Sequence, residues 1–476
     1  MKPEFSMMEN VGLNKHLARI SGLLLFGIAN LGLASDAVQG EIKAFKSPNG
    51  LEERCVILNQ IPGGFYSDDD KATESRYCQI DIYDANTAIC PKLRSTSPAT
   101  FIYDLKHGPL AGKQAEFEQT VCPRGEVIVN EAKDAPTDFK VTMNAKNASA
   151  TFAPASLLYY HFARYFDAYI HVPVSVFRTI DRNSHEQRIT ARGLAWSAKN
   201  PALKMNNAAW LELDKVEKNP QAYADPGELF TSDMRQVFGI LMRIEGKRYG
   251  EEINGTRKSG WGKGQSFDFQ QTPAFTALRS EKPLAEAIKP AVAKGHAAGQ
   301  IVLWMQELTE ITLLDYIFSQ QDRVGNIDYV EYWYSKQNDQ ISYSKAVDKQ
   351  HQPTVDAILL KRTFLNDNDA AGKKKYSNFT KVTSMLEATR HYNGKTYQRL
   401  QHLAKDVQQK GPLYGYLQNG FGLSDAQLQL ATANIQQAAA ILLNSCQAKK
   451  LRFDLDPDAF LLEGKTTEQT VACEAT

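Results

Sequence analysis

The feature that most constrains the fold is a change of hydrophobic periodicity along the 476-residue chain. Between residues 41 and 130, short apolar runs such as "RCVILN" and "ATFIYDL" are separated by Gly, Pro, Asp and Asn, which is typical of strands and turns. Beyond about residue 250, long stretches such as "IVLWMQELTEITLLDYIFS" have helical periodicity. The pattern predicts an α+β protein with a β-rich N-terminal part and a mainly helical C-terminal part.

The chain is too long for one typical compact core, so two lobes are expected. The polar, Gly-rich stretch "GKRYGEEINGTRKSGWGKGQS" places the boundary near residue 250. We therefore predict a signal peptide at 1–34, a cysteine-containing β-rich segment at 35–130 that either stands alone or joins the next lobe, an N-terminal lobe at 131–250, and a helical C-terminal lobe at 251–476.

The N-terminus has the pattern of an export signal. Three side chains, Lys15, His16 and Arg19, precede the uncharged run "ISGLLLFGIANLGLA", whose Gly32 and Ala34 are spaced for cleavage. The run is shorter than the roughly 20 apolar residues of a bilayer span. It predicts a secreted or periplasmic protein with no stable membrane span after cleavage. A buried helix or an uncleaved anchor is the alternative.

The six cysteines agree with export. Four of them precede residue 123, two lie near the C-terminus, and none forms a C-x-x-C pair, which argues against a zinc or thioredoxin motif. An even number in an exported chain predicts disulfides. Pairing within each cluster is the simplest arrangement, although the sequence leaves the connectivity open, and buried free thiols in a cytosolic protein are the alternative.

Composition excludes some function classes. The chain is 43% apolar and 23% charged, as in ordinary soluble proteins, and its formal net charge is +1. The net charge therefore creates no electrostatic attraction of the whole protein to nucleic acid or to an anionic membrane, and we predict no nucleic-acid partner. Signatures of hydrolases such as G-x-S-x-G and H-E-x-x-H are absent from the sequence.

The order of polar residues suggests phosphoryl transfer. In "TDFKVTMNAK", Phe139 and Val141 alternate with Lys140, which is strand periodicity, and a helix is predicted to begin near Pro154. A later predicted helix leads into the polar turn "SQQDRVGN", and a short hairpin ends at Asp348. Phosphoryl transfer needs a cation for the phosphates, a carboxylate for the attacking hydroxyl, and oxygen ligands for Mg²⁺ or Mn²⁺.

Three stretches resemble the atypical kinases, a group that includes the Golgi casein kinases, the HipA-type kinases and the phosphoinositide kinases. They are "EITLLDYIFSQQDRVGN", "SYSKAVDKQ" and "DFKVTMNAKNASATFAPASLLYYHFARYFDAYIHVPV". The resemblance implies a bilobal kinase-like fold, with a β-rich N-lobe and a mainly helical C-lobe. It implies an exported kinase that uses ATP with Mg²⁺ or Mn²⁺ and phosphorylates a hydroxyl of a protein, sugar or lipid.

The resemblance also implies roles for individual residues. Asp322 matches the catalytic carboxylate, and Asp348 matches the metal-binding aspartate. Lys140 matches the lysine that contacts the nucleotide phosphates, with Lys146 in reserve. Arg323 is expected to brace the loop.

The sequence departs from the group's pattern in several places. Ile327 stands where the group has a second metal ligand, so Asn326 and Asp328 are the candidates. The group also has a glutamate that pairs with the lysine. Ser156 stands near the position of that glutamate here, so Glu116 or Glu118 would have to take its role. A secreted pseudokinase or scaffold protein is therefore the alternative function.

In the acidic stretch "FLNDNDAAGKKKY", cation binding is one reading, by Asn366, Asp367, Asn368 and Asp369. A D-x-D alone lacks the rest of a calcium loop, so a solvated turn followed by a basic run is expected instead.

Overall fold

The computed structural model describes residues 38–125, 132, 135–144, 150–348 and 352–474. The predicted signal peptide and Lys146 lie outside the described residues. Among the residues that are described, none of the helices combines the length and hydropathy that crossing a membrane requires.

The N-terminal part is built on a seven-stranded antiparallel sheet with the order β1-β2-β6-β7-β5-β4-β3. The strand predicted around Lys140 is confirmed as β5, which pairs on one side with β4 and on the other with β7. Lys140 therefore has a fixed register opposite Ala99 and Ile240. The strands are β1 (Gly40–Lys46), β2 (Glu52–Leu58), β3 (Thr87–Pro91), β4 (Ala99–Asp104), β5 (Thr137–Val141), β6 (Ser175–Asp181) and β7 (Gln236–Met242).

Helices pack around this sheet, and the helix predicted near Pro154 is confirmed as α3, which is buried along almost its whole length. It ends at Asp167, whose positive φ of 54° closes the last turn. The helices of this part are α1 (Asp68–Tyr77), α2 (Gln114–Thr120), α3 (Ala155–Phe166), α4 (Arg182–His185), α5 (Ala191–Ser197) and α6 (Lys204–Lys218), with a π-helical turn at Glu186–Thr190 between α4 and α5.

The stretch "QRITARGLAWSA" resembles a strand in its sequence but is helical in the structure. It forms the π-helical turn and α5. Arg188 and Arg192 lie one turn apart and both bind the buried Glu118 carboxylate, each with an N–O distance of 2.6 Å. Two charge-assisted bonds to one acid outweigh a weak local preference for strand. Glu118 is thereby engaged by these two arginines and does not replace the glutamate expected beside Lys140.

A second antiparallel sheet has the order β10-β9-β11, and β8 pairs with the start of β9. The predicted hairpin is confirmed, since β9 and β10 are joined at Asn338 and Asp339, whose φ angles of 50° and 59° suit a type I′ turn. The strands are β8 (Lys247–Arg248), β9 (Asp328–Gln337), β10 (Gln340–Lys345) and β11 (Ile358–Phe364).

The C-terminal part is mainly helical, as predicted, and is organised around α12, whose side chains are buried from Gln300 to Phe318. The carboxylates that it buries have partners, as Glu307 has in Thr363, Glu310 in the Ile170 backbone and Asp315 in Arg323. The helices are α7 (Glu251–Asn254), α8 (Lys263–Phe269), α9 (Pro273–Leu278), α10 (Leu284–Ala287), α11 (Lys289–Ala293), α12 (Ala298–Phe318), α13 (Phe379–Val382), α14 (Gly394–Gln409), α15 (Pro412–Gly420), α16 (Asp425–Gln447) and α17 (Pro457–Glu463).

The predicted fold class and the predicted disulfides are confirmed. The chain is α+β, with the β-rich part preceding the helical part, while the domain boundaries themselves stay predictions. The six cysteines pair within their two clusters, as Cys55–Cys78, Cys90–Cys122 and Cys446–Cys473. Each bridge closes a loop of 23 to 32 residues.

Candidate active site

The loop that carries Asp322 begins where α12 ends. Ser319 adopts a positive φ of 56° and turns the chain out of the helix. The Gln320 side chain accepts a hydrogen bond from the Asp322 backbone N–H at 3.0 Å, and the Asn326 amide donates to the Asp322 carbonyl at 2.7 Å. Gly325 takes a φ of 86° between them. The backbone of Asp322 is therefore fixed on both sides of the turn.

Arg323 is buried and ties this loop to the segment after β11. Its guanidinium binds the Asp315 carboxylate of α12, with an Nε–Oδ2 distance of 2.9 Å. It also donates to the Asp367 carbonyl at 3.1 Å and to the Asn368 side-chain oxygen at 2.8 Å. One planar donor group thus holds three chain segments together. The predicted bracing role of Arg323 agrees with these contacts.

Lys140 lies between two carboxylates that sequence reasoning did not select. Its ammonium is 3.3 Å from Asp369 Oδ2 and 3.5 Å from Asp367 Oδ1, and its side chain is almost fully buried. Burial by itself would lower the pKa of Lys140, but Asp369 and Asp367 outweigh that effect and raise it. Lys140 of β5 therefore stays positively charged, and its ammonium lies beside the segment that follows β11.

The acidic stretch after β11 corrects an expectation, because it is not a solvated turn. Asn366, Asn368 and Asp369 are buried, and only part of the Asp367 side chain is accessible. Asn366 donates to the Glu245 carbonyl and to Asp328 Oδ2, both at 2.8 Å. The available signal was position, since the acids directly follow a strand, whereas the prediction rested on the missing calcium-loop pattern.

Arg248, at the end of β8, lies at the edge of the same cluster. Its Nε is 2.7 Å from Asp328 Oδ1, and its Nη2 is 3.3 Å from Asp367 Oδ2. Its Nη1 donates to the Gly325 carbonyl and to the Asn326 side-chain oxygen. Asp328 is therefore held on both oxygens, by Arg248 and by Asn366.

The pKa values of Asp322 and Asp367 are shifted in opposite directions. Burial raises the pKa of Asp322, and the Asp367 carboxylate adds to this rise, against the hydrogen bond from Trp261 and the charge of Arg257. Burial would also raise the pKa of Asp367, but Lys140, Arg248 and Arg323 outweigh it and lower that pKa. Carboxylates with opposite shifts are suited to different tasks, one to accept a proton and the other to stay ionised.

The structure brings most of the predicted site residues together. Lys140 contacts Asp367, Asn326 contacts the Asp322 backbone, and Asp328 shares Arg248 with Asp367. Asp348 lies on exposed chain beyond the end of β10, and its metal-binding role stays a prediction. The metal-binding roles of Asn326 and Asp328 also stay predictions. Sequence reasoning considered Asp367 and Asp369 as cation ligands but favoured a solvated turn, and it missed Arg248.

The side-chain oxygens in this cluster fit a divalent cation that also binds substrate phosphates better than a cation that is bound by protein ligands alone. Within the described part of the chain, no three His, Cys, Asp or Glu side chains are grouped as a ready metal site. Mg²⁺ is commonly held by one or two carboxylates, with phosphate oxygens and water as the other ligands. Asp367, ionised and partly accessible, is the side chain that fits this arrangement best.

Two solved structures are similar to this chain over most of its length. One is the Golgi casein kinase, with a TM-score of 0.40 and 11% identity, covering 81% of this chain and 77% of that chain. The other is the Golgi casein kinase with Mn/ADP bound, with a TM-score of 0.39 and 11% identity, covering 81% and 78%. No protein-family model and no curated protein matches the sequence. Both structures belong to the group that the sequence resembles, but a similarity this low carries no functional argument.

Proposed function

We propose that the protein is a phosphotransferase that moves the terminal phosphate of ATP to a hydroxyl group. The observation that supports this most is the meeting of three segments from distant parts of the chain. They bring the Lys140 cation, the ionised Asp367 carboxylate and the Asp322 loop into one network. These are the components that phosphoryl transfer requires: a phosphate-binding cation, a metal-binding oxygen and a carboxylate for the nucleophile.

The residues take separate roles in this proposal. Lys140 binds the nucleotide phosphates, and Asp367 holds the divalent cation, which neutralises phosphate charge when it is bound. Asp322 orients the acceptor hydroxyl and accepts its proton as oxygen bonds to the γ-phosphorus. The bond from the γ-phosphorus to the β–γ bridging oxygen breaks, and ADP leaves. A raised pKa makes the Asp322 carboxylate a better proton acceptor than an exposed aspartate.

The compartment and the acceptor are also proposals. Three disulfides are favoured in an oxidising compartment, so we propose that the protein works in the secretory pathway or the periplasm. The acceptor hydroxyl belongs to a protein or to a small molecule such as a sugar or lipid.

The first test is nucleotide binding. The melting temperature of the purified chain should rise on addition of ATP with Mg²⁺ or Mn²⁺, because a ligand that binds only the folded state stabilises it. No shift with either metal supports the alternative of a scaffold protein without nucleotide chemistry.

The second test is transfer of the labelled phosphate, to itself or to a panel of hydroxyl acceptors. Asp322→Asn should reduce transfer by about 10²-fold or more while the thermal shift with ATP persists, since removing a base slows chemistry more than binding. The matched control is Asp425→Asn, which changes an exposed aspartate at the start of α16 that has no role in the proposed site. Equal rates for Asp322→Asn and the unchanged protein would refute the assignment of Asp322.

A further inference from the structure

The Arg248 guanidinium fills a position surrounded by oxygens. Its donors reach Asp328 Oδ1, the Gly325 carbonyl, the Asn326 side-chain oxygen and Asp367 Oδ2. Carboxylate, amide and carbonyl oxygens are also the ligands that a hard divalent cation prefers. An arginine is always charged, so these oxygens have a cationic partner in the protein itself.

Cationic side chains already balance much of the negative charge around this position. Lys140 and Arg248 contact Asp367, and Arg248 also contacts Asp328. Lys92 and Arg323 further favour the ionised form of Asp367. A position that already holds a guanidinium therefore has less electrostatic need of a second divalent cation.

Arg248 is also accessible, unlike the other arginine that contacts Asp367. Its side chain is 45% exposed, whereas that of Arg323 is 5% exposed. Asp367 is partly exposed as well, and Arg248 approaches its Oδ2 while Lys140 approaches its Oδ1. A phosphate group that reaches the accessible Asp367 carboxylate therefore meets the guanidinium beside it.

We propose that Arg248 is a further catalytic residue, whose guanidinium contacts the transferred phosphate and takes the place of a second divalent cation. This rests on the proposed phosphotransfer. Asn326 and Asp328 then serve to position Arg248 and are not metal ligands. A guanidinium suits this task because its planar fork binds several oxygens at once, which a lysine ammonium cannot match in geometry.

The proposal is tested by counting Mn²⁺ bound to the full chain in the presence of a non-hydrolysable ATP analogue, from the EPR signal of free Mn²⁺. The unchanged protein should bind one Mn²⁺. Arg248→Ala should bind two, because the oxygens of Asn326, Asp328 and Asp367 are released. The same variant should lose about 10³-fold in kcat, as expected for an arginine that stabilises a transferring phosphoryl group.

Two further variants serve as controls. Lys247→Ala removes an exposed neighbouring charge of the same strand and should change neither the Mn²⁺ count nor kcat. Arg248→Gln keeps part of the hydrogen bonding but removes the charge. It therefore separates loss of the charge from a folding defect of Arg248→Ala, and its kcat should fall by a similar factor. Two Mn²⁺ in the unchanged protein, or less than about a threefold loss of kcat in folded Arg248→Gln, overturns the proposal.

A titration with Mn²⁺ alone separates this idea from the proposed function. Arg248→Ala should bind Mn²⁺ at least about tenfold more tightly than the unchanged protein, and adding Asp328→Asn should remove that gain. If the unchanged protein binds no nucleotide, the proposed phosphotransfer fails, and this titration still decides whether the guanidinium occupies a cation position. No gain of Mn²⁺ affinity in Arg248→Ala refutes the replacement of a metal even if phosphotransfer is confirmed.

Discussion

In the small sheet, two strands are each followed by an apolar residue and then an aspartate, but the two strand ends differ in how deeply they are buried. β10 is followed by Ala346, Val347 and Asp348, and β11 is followed by Leu365, Asn366 and Asp367. Val347 is 91% exposed, whereas Leu365 is fully buried. Both β10 and β11 are edge strands of this sheet, but the end of β11 also hydrogen-bonds to the backbone of His171 and leads to Asp367, which contacts Lys140. An apolar residue before an aspartate therefore indicates a site only if tertiary packing buries it.

The largest expected difference between the two strand ends is in catalysis. Asp367→Asn should reduce phosphate transfer by about 10³-fold, or about 4 kcal/mol of transition-state stabilisation, because it removes the ionised cation ligand. Asp348→Asn should change the rate by less than about twofold, as for a surface substitution. Initial rates of both variants at saturating ATP and metal measure this. The reverse ranking would show that Asp348 is the metal ligand that the sequence resemblance implied.

The apolar residues of the two strand ends should differ in stability. Leu365→Ala should lower the free energy of unfolding by about 3 kcal/mol, since it leaves a cavity in a site that cannot collapse fully. Val347→Ala should change it by no more than about 0.5 kcal/mol. Urea denaturation of both variants provides the measurement. Similar losses would mean that the β10 end is packed in solution.

Stability at the β11 end should also depend on pH through Glu307. This buried carboxylate of α12 accepts hydrogen bonds from the Thr363 backbone N–H and hydroxyl, both at 2.8 Å. Burial raises its pKa to about 8, against the opposing effect of those bonds. Because the pKa of Glu307 is higher in the folded state, the folded protein binds this proton more tightly than the unfolded chain does. The resulting contribution to the free energy of unfolding is fully present below the unfolded-state pKa of 4.5 and is lost as pH rises through 8.

Glu307→Gln removes this titration while keeping an acceptor for the Thr363 N–H. Between about pH 5 and pH 9, the unchanged protein should lose about 4 kcal/mol more than the variant does. Thermal melts across that range test the difference. Some pH dependence should persist in the variant, because burial also raises the pKa of Glu310 to about 7. Identical pH profiles for the two proteins would contradict the assignment to Glu307.

The smallest expected effect is at the exposed hairpin. Asp339 has a positive φ, so Asp339→Gly should stabilise the β9–β10 turn by about 0.5 kcal/mol. The exposed ion pair that it forms with Lys336 contributes little to set against this. Phosphate transfer should be unchanged, because the turn lies at the far end of β9 from Asp328. A loss of activity would show that the hairpin and the site are coupled.

Sequence reasoning predicted much of the fold and part of the site. The Lys140 strand, helix α3, the helix before Asp322 and the β9–β10 hairpin were predictable because each has a clear period or turn residues. The α4–α5 segment was not, because its helix depends on Glu118, which is distant in sequence. Asp367 and Asp369 were set aside and Arg248 was missed for a related reason: their partners come from other parts of the chain, which the local sequence does not show.

The pairing of Lys140 with Asp367 has a consequence for biosynthesis. The two residues come from opposite halves of the chain, so a nascent chain that ends before Asp367 lacks this contact, however well its first sheet has formed. Contacts of such high sequence separation form late and slowly. If the proposed phosphotransfer depends on this pair, it therefore cannot begin before the segment after β11 has been synthesised and has docked on β5.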